Sequence, residues 1–183
     1  MLEEKQTNKL KFKVGDVTKP VAEDKTFVIH IVNNHGVMGA GVAKALAEKW
    51  SKVKNCYLVW SLPAKDIEDV ALPFELGQNQ YVKVEDNVVV VNMVAQDGFP
   101  TREKPRATDY DALRKCLTKI AEKALVYKSK VILPAIGIGL GGAEPEEILK
   151  IVQECLINKD IDTTMYLLTM DEKKNISKLY KEI

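Results

Sequence analysis

Polar and apolar residues alternate from Lys9 to Val14, the two-residue period of a strand, and the run ends at Gly15-Asp16-Val17-Thr18 before Pro20. Phe27 to Val32 is β-branched and apolar and predicts a second strand, which gives way to Asn33-Asn34 and then to glycines at 36, 39 and 41. Val42, Leu46 and Trp50 recur at helical spacing, so this stretch reads as strand, glycine loop and a helix from about Val42 to Lys52. The segment through Trp60 and Pro63 to Pro73 carries only a faint helix and loop signal. Tyr81 to Val84 and Val88 to Ala95 predict two strands joined at Asp86-Asn87, and the second, apolar on both faces, reads as central. Gln96 to Ala107 is a long loop with Gly98, Pro100 and Pro105 among charges, and Gln96, Asp97 and Phe99 are placed to line a cleft from it. Thr108 and Asp111 form a capping-box-like start for a helix whose stripe of Leu113, Cys116, Leu117, Ile120 and Ala124 runs to Tyr127. Lys130 to Ile136 predicts a buried strand, Pro145 with Glu144, Glu146 and Glu147 opens a helix, Ile161 to Thr169 is the last strand, and Glu172 to Ile183 a terminal helix.

Strands interleaved with helices predict an α/β fold, a mainly parallel sheet between helix layers. In such sheets ligands bind beyond the carboxyl ends of the strands, where both glycine-rich loops must lie. A length of 183 residues with 46% hydrophobic content fits one domain, spanning 1–183, with a sizeable core. Lys and Arg number 27 against 26 Asp and Glu, so no net field draws the chain onto nucleic acid or an anionic membrane, and any anion must be held locally. No apolar run is long enough to span a bilayer, and the first ten residues lack a signal-peptide core, which gives a cytoplasmic expectation with no membrane partner. Cys56, Cys116 and Cys155 are widely spaced with no CxxC pair and read as structural thiols. With two histidines and no carboxylate cluster at ligand spacing, neither a metal nor a cofactor is expected.

A glycine loop between strand and helix leaves the first N–H groups of the helix unpaired and aimed at the loop, with the positive end of the helix dipole behind them. Such a site suits a phosphate. Two of them on one sheet edge suit a nucleotide diphosphate. A nucleoside-triphosphatase P-loop would need Gly-Lys-Ser/Thr, whereas Gly41 is followed by Val42-Ala43-Lys44. A dinucleotide-binding GxGxxG would follow the first strand, and here the glycines follow the second and reappear late. The competing structural reading is that the glycines serve only tight turns.

Gly15-Asp16-Val17-Thr18, Val32-Asn33-Asn34, the 36–43 segment GVMGAGVA and the 134–142 segment PAIGIGLGG, in that order, resemble the macro domain family across nearly the whole chain. The look is nearest to the phage, bacterial and yeast ADP-ribose-1″-phosphate phosphatase branch, whose members similarly run into a sequence like TDYDALRKCL at 108–117. The resemblance implies a three-layer α/β/α fold with a mixed, mainly parallel sheet and an ADP-ribose cleft at its carboxyl edge. It assigns Asp16, beside Val17, to the adenine amino group, a donor that a carboxylate is suited to accept. Asn33, with Asn34 beside it, is assigned to the distal ribose, and His35 to a possible ligand contact. Gly36, Val37, Met38, Gly39, Ala40, Gly41 and Val42 match the loop around the diphosphate and distal ribose. Ile136, Gly137, Ile138, Gly139, Leu140, Gly141 and Gly142 match a second loop that cradles phosphates with main-chain N–H groups. In both loops glycine would allow close approach of the ligand.

Macro domains include binders, phosphatases and hydrolases, so fold alone does not choose among them. One hydrolase branch uses a lysine and an aspartate where this chain has Ala95-Gln96 and Gly141-Gly142, a departure at both positions. The yeast-type phosphatases carry a histidine where His30 stands, so His30 and Asn33 are the catalytic candidates. A satisfied core histidine is the equal alternative for His30. The leading expectation is hydrolysis of ADP-ribose-1″-phosphate to ADP-ribose and phosphate. The alternatives are removal of ADP-ribosyl groups from protein or nucleic acid, which alone would bring a macromolecular partner, and binding without turnover.

Overall fold

The structure is a computed structural model and describes residues 9–62 and 73–183. Six strands form one sheet: β1 (Lys11–Val14), β2 (Thr26–Asn33), β3 (Asn79–Lys83), β4 (Val88–Gln96), β5 (Lys130–Leu133) and β6 (Thr163–Leu167), in the spatial order β1-β6-β5-β2-β4-β3. All neighbours are parallel except β3 and β4, which form the antiparallel hairpin expected from Asp86-Asn87. The helices are α1 (Gly41–Lys49), α2 (Ser51–Ser61), α3 (Tyr110–Tyr127), α4 (Pro145–Cys155) and α5 (Met170–Tyr180).

Alternation along the strands divides the core in two. Phe27, Ile29, Met93 and Leu133 point to one face and pack with Leu113, Leu117, Ile148 and Ile151 of α3 and α4. Val28, Val32, Val90 and Ile132 point to the other, under Leu46 of α1 and Val53 and Tyr57 of α2. The result is the expected three-layer α/β/α arrangement, with β2 and β4 as interior strands. None of the described helices is long and apolar enough to cross a membrane. Cys116 and Cys155 are buried and Cys56 half-buried, all as free thiols.

Several boundaries differ from those the periodicity predicts. The first long helix breaks at Trp50, where the backbone is extended and the indole donates to Glu85 at 3.0 Å, so that two helices stand in place of one. α2 then continues to Ser61; the part of the uncertain segment from Pro63 to 72 lies outside the described residues. β5 stops at Leu133 because Pro134 has no N–H for the ladder. The N-cap of α3 is Asp109, whose side chain accepts from Ala112 N, and Thr108 is used elsewhere. α5 starts earlier than expected, at a capping box of Thr169 and Glu172.

Candidate functional site

β2 ends at Asn33, and that side chain builds the loop that follows. Its Oδ1 accepts from His35 N at 2.9 Å and Val37 N at 3.3 Å, while its Nδ2 donates to Val37 O at 2.7 Å. The hydroxyl of Tyr57, buried in α2, lies 2.7 Å from Asn33 O and 2.9 Å from its Oδ1. Burial pushes the Tyr57 phenol up to about 12, so it stays a donor. The turn passes through Gly36 at φ 72°, closes over the buried Met38, and enters α1 at Gly41, φ 57°. Ala40 is the N-cap and supplies no side-chain hydrogen bond. Lys44 N to Ala40 O, 3.2 Å, is the first bond of the helix, so the N–H groups of Gly41, Val42 and Ala43 precede it unpaired.

The second loop, from Pro134 to Glu144, is pinned from outside by the end of the long 97–108 loop. Ala107 N and Thr108 N both donate to Gly141 O, at 3.0 and 3.1 Å. Thr108 Oγ1 lies 3.3 Å from Gly137 O and 3.2 Å from Gly141 O. A Cβ at Gly137 would sit 2.9 Å from Thr108 Oγ1, one at Gly141 would collide with the same oxygen, and one at Gly142 with Pro105 O. The three glycines therefore admit the chain's own backbone and Thr108, a need for glycine beyond the expected close approach of a ligand. Gly39 and Gly139 differ: a Cβ there would meet nothing within 4 Å, and neither has a left-handed φ. No contact inside the described protein requires glycine at either place.

A third wall comes from the 97–104 segment. Asn34 grips it, donating to Asp97 Oδ1 at 3.0 Å and accepting from Gly98 N at 2.9 Å. Lys104 Nζ, 2.7 Å from Asp97 Oδ2, closes the segment and holds that carboxyl below the usual range. Between Val32 and Asn33 the β2–β4 register slips by one residue, a bulge next to Gln96, whose Nε2 donates to Gly98 O at 3.0 Å. Phe99 stands over His35, ring centroids 5.5 Å apart.

These walls enclose a cleft of about 670 Å³ at the carboxyl ends of β2, β4 and β5. Of the residues expected from sequence, Asn33, Val37, Met38, Gly39, Ala40, Gly41, Val42, Ile136, Gly137, Gly139, Leu140 and Gly141 line it, together with His30, Gln96 and Phe99. Asn34, His35, Gly36, Ile138 and Gly142 do not line it, and the first three shape its walls instead. Ile31, Val32, Ala43, Pro100, Pro134 and Ala135 complete the lining. Val32, Ala43, Pro134 and Ala135 stand within the motifs already quoted, and Ile31 and Pro100 adjoin His30 and Phe99. Asp16 and Val17 lie outside the lining, beyond β1, and Asp16 Oδ1 accepts from Thr18 N at 2.9 Å. That main-chain bond holds its carboxyl below the usual value.

No Asp, Glu, Lys or Arg side chain is among the lining residues. The cleft thus offers main-chain N–H groups and apolar surface, and its polar side chains are His30, Asn33 and Gln96. His30 is 1% exposed, with Nε2 2.5 Å from Asn92 Oδ1 and no partner at Nδ1. Burial lowers its pKa to about 4, so the imidazole is neutral at neutral pH. Among the described residues no group of three or more His, Cys, Asp and Glu is placed to hold a metal.

No family model and no curated protein matches the chain. Solved structures do. A protein of unknown function from Bacteroides thetaiotaomicron is 33% identical, with a TM-score of 0.79 over 87% of this chain and 98% of that one. A macrodomain protein from Streptomyces coelicolor is 28% identical, with a TM-score of 0.72 over 86% of this chain and 98% of that one. Thermosipho africanus DarTG, solved in complex with ADP-ribose, shares the fold at 20% identity, with a TM-score of 0.60 over 81% of this chain and 39% of that one.

Proposed function

We propose that this chain, which has the macrodomain fold and is grouped with the macrodomain family by its likeness to the Streptomyces protein, binds ADP-ribose in the cleft between its two glycine loops. The observation that carries the reading is the pair Gly39 and Gly139, glycines that neither backbone conformation nor neighbouring atoms require, set beside the uncapped start of α1. A diphosphate lying against the two loops would occupy the space their missing side chains leave, with its charge met by unpaired N–H groups and the helix dipole. The presence of ADP-ribose in the Thermosipho complex supports the same ligand here. Asp16 follows β1, three strand spacings from β2 in the sheet order, roughly 14 Å at the usual strand separation. That offset suits a group at the far end of an extended nucleotide, and the Asp16 carboxylate retains acceptor capacity for an adenine amino group.

A second reading, hydrolysis of ADP-ribose-1″-phosphate, is favoured by His30, the one ionisable side chain among the lining residues. In this reading water attacks phosphorus, the bond between phosphorus and the 1″-oxygen breaks, and His30 Nδ1 takes the proton of the water and returns it to the leaving oxygen. The products are ADP-ribose and inorganic phosphate. Asn33 acts as a positioning residue, because its amide is engaged with Val37 and Tyr57.

Calorimetric titration with ADP-ribose tests the first reading, and absence of binding refutes it. Asp16→Asn keeps the Oδ1 that Thr18 N requires and should weaken binding by about 1–3 kcal/mol. Phosphate release from ADP-ribose-1″-phosphate by the native chain, lost in His30→Ala, tests the second. Turnover of ADP-ribosylated protein or DNA in its place would move the activity to removal of ADP-ribosyl groups, and binding without any turnover would leave a reader.

A further inference from the structure

His30 does not stand alone behind the cleft. Its Nε2 faces Asn92 Oδ1, Asn92 Nδ2 lies 3.0 Å from Gln80 Oε1 and 3.4 Å from Val53 O, and Gln80 Nε2 lies 2.9 Å from Cys56 O. Val53 and Cys56 belong to α2, Gln80 to β3 and Asn92 to β4, so the chain of contacts crosses three elements to reach β2. Asn92 is fully buried on a strand whose other residues from Val88 to Ala95 are apolar. Such a residue is costly unless its amide is fully used.

The direction of this chain is fixed at both amides. A main-chain carbonyl can only accept a hydrogen bond. Cys56 O therefore demands the NH2 end of Gln80, which turns Gln80 Oε1 towards Asn92. Val53 O demands the NH2 end of Asn92, and Gln80 Oε1 demands it again, which turns Asn92 Oδ1 towards His30. An oxygen facing Nε2 requires a proton there. Because burial keeps the ring neutral, Nδ1 is then bare, and it is the nitrogen with no partner in a residue that lines the cleft.

We propose that Asn92 and Gln80 are positioning residues that lock His30 in its Nε2–H form and so leave Nδ1, itself buried in the cleft wall, as the bare hydrogen-bond acceptor for a water or a ligand hydroxyl admitted there. The role for a ligand rests on the proposed function, whereas the locked tautomer does not. α2 thereby has two connections to the site: Tyr57 holds the first loop, and the carbonyls of Val53 and Cys56 set the histidine.

Long-range 1H–15N correlation spectra of the native chain should show His30 only as the Nε2–H tautomer at pH 7. Asn92→Leu removes the acceptor and should give a mixture of both tautomers, whereas Gln80→Leu leaves the Asn92 amide held by the longer contact to Val53 O alone and should give a smaller but detectable Nδ1–H fraction. Gln80→Glu keeps the oxygen facing Asn92 and should retain the single form. Gln80 lies on the sheet's edge strand and is only half-buried, so its variants keep the test available should Asn92→Leu not fold. An Nδ1–H form in the native chain overturns the proposal, as does a single Nε2–H form that survives in the folded Leu variants. ADP-ribose added to the same sample separates the two claims. Failure to bind refutes the proposed function and leaves the tautomer count to decide the relay, while binding that does not move the Nδ1 resonance refutes its acceptor role towards the ligand.

Discussion

Gly139 and Gly141 sit two residues apart in one loop, yet their substitution should have opposite consequences. A side chain at 139 meets open space at an ordinary backbone angle, so Gly139→Leu should change stability by less than about 0.5 kcal/mol while abolishing ADP-ribose binding. At 141 even one methyl collides with Thr108, and Gly141→Ala should cost about 1–3 kcal/mol. Thermal melts paired with ligand titration separate the two; a destabilised Gly139→Leu would show that this glycine also serves the fold. His30 makes a second residue-level prediction. Its pKa is about 4 in the fold against an ordinary 6.5, so the unfolded chain binds a proton that the native chain refuses. The contribution of the neutral buried ring is thus present above pH 6.5 and lost as the pH falls towards 4, on the order of 3 kcal/mol in all. Urea denaturation at neutral and mildly acid pH should show this loss in the native chain but not in His30→Gln, with the carboxylates common to both.

At the scale of the element, α1 begins at Ala40 and Gly41 with no side-chain cap, as α2 and α4 also start without one, whereas α3 is capped by Asp109 and α5 by Thr169. Ala40 already has the extended backbone of an N-cap, so Ala40→Asp should stabilise the fold by about 0.5–1 kcal/mol. The same carboxylate would stand where the phosphate charge is proposed to lie and should weaken ADP-ribose binding at least about tenfold, through competition for N–H groups and repulsion. Denaturation midpoints and titration on one variant read both effects. Tighter binding would place the anion elsewhere.

Across the whole molecule, charge is nearly balanced and the cleft lining holds no charged side chain. Recognition of a dianionic ligand by fixed main-chain dipoles should therefore depend weakly on salt, changing by less than about threefold as ionic strength rises tenfold. A steep loss measured by titration in sodium chloride would instead implicate lysines or arginines beyond the lining. The sheet sets where the cleft lies. β2 lies between β5 and β4, so the loops after all three strands meet at one edge, and β3 on the far side reaches the His30 surroundings through Gln80.

The sequence alone determined what depends on near neighbours. Strand alternation, the helical stripe of α3, the hairpin at Asp86-Asn87 and the two strand-to-helix glycine loops were all legible, because side-chain period and turn chemistry are written within a few residues. Only the tertiary structure decided how the work is divided among the glycines, since Thr108 and Pro105 reach Gly137, Gly141 and Gly142 from another part of the chain. The same holds for Asn34, which grips Asp97 across 63 residues, and for the second helix after Trp50, whose place depends on packing under β2 and β4. His30 shows the division most sharply. A histidine in a β-rich strand is either a core residue or a chemical one by sequence, and here burial makes it the first while the cleft and its unpartnered Nδ1 leave it open to the second. Contacts between residues far apart in the chain leave no periodic trace, so the partners that set this histidine's proton could be read only from the folded molecule.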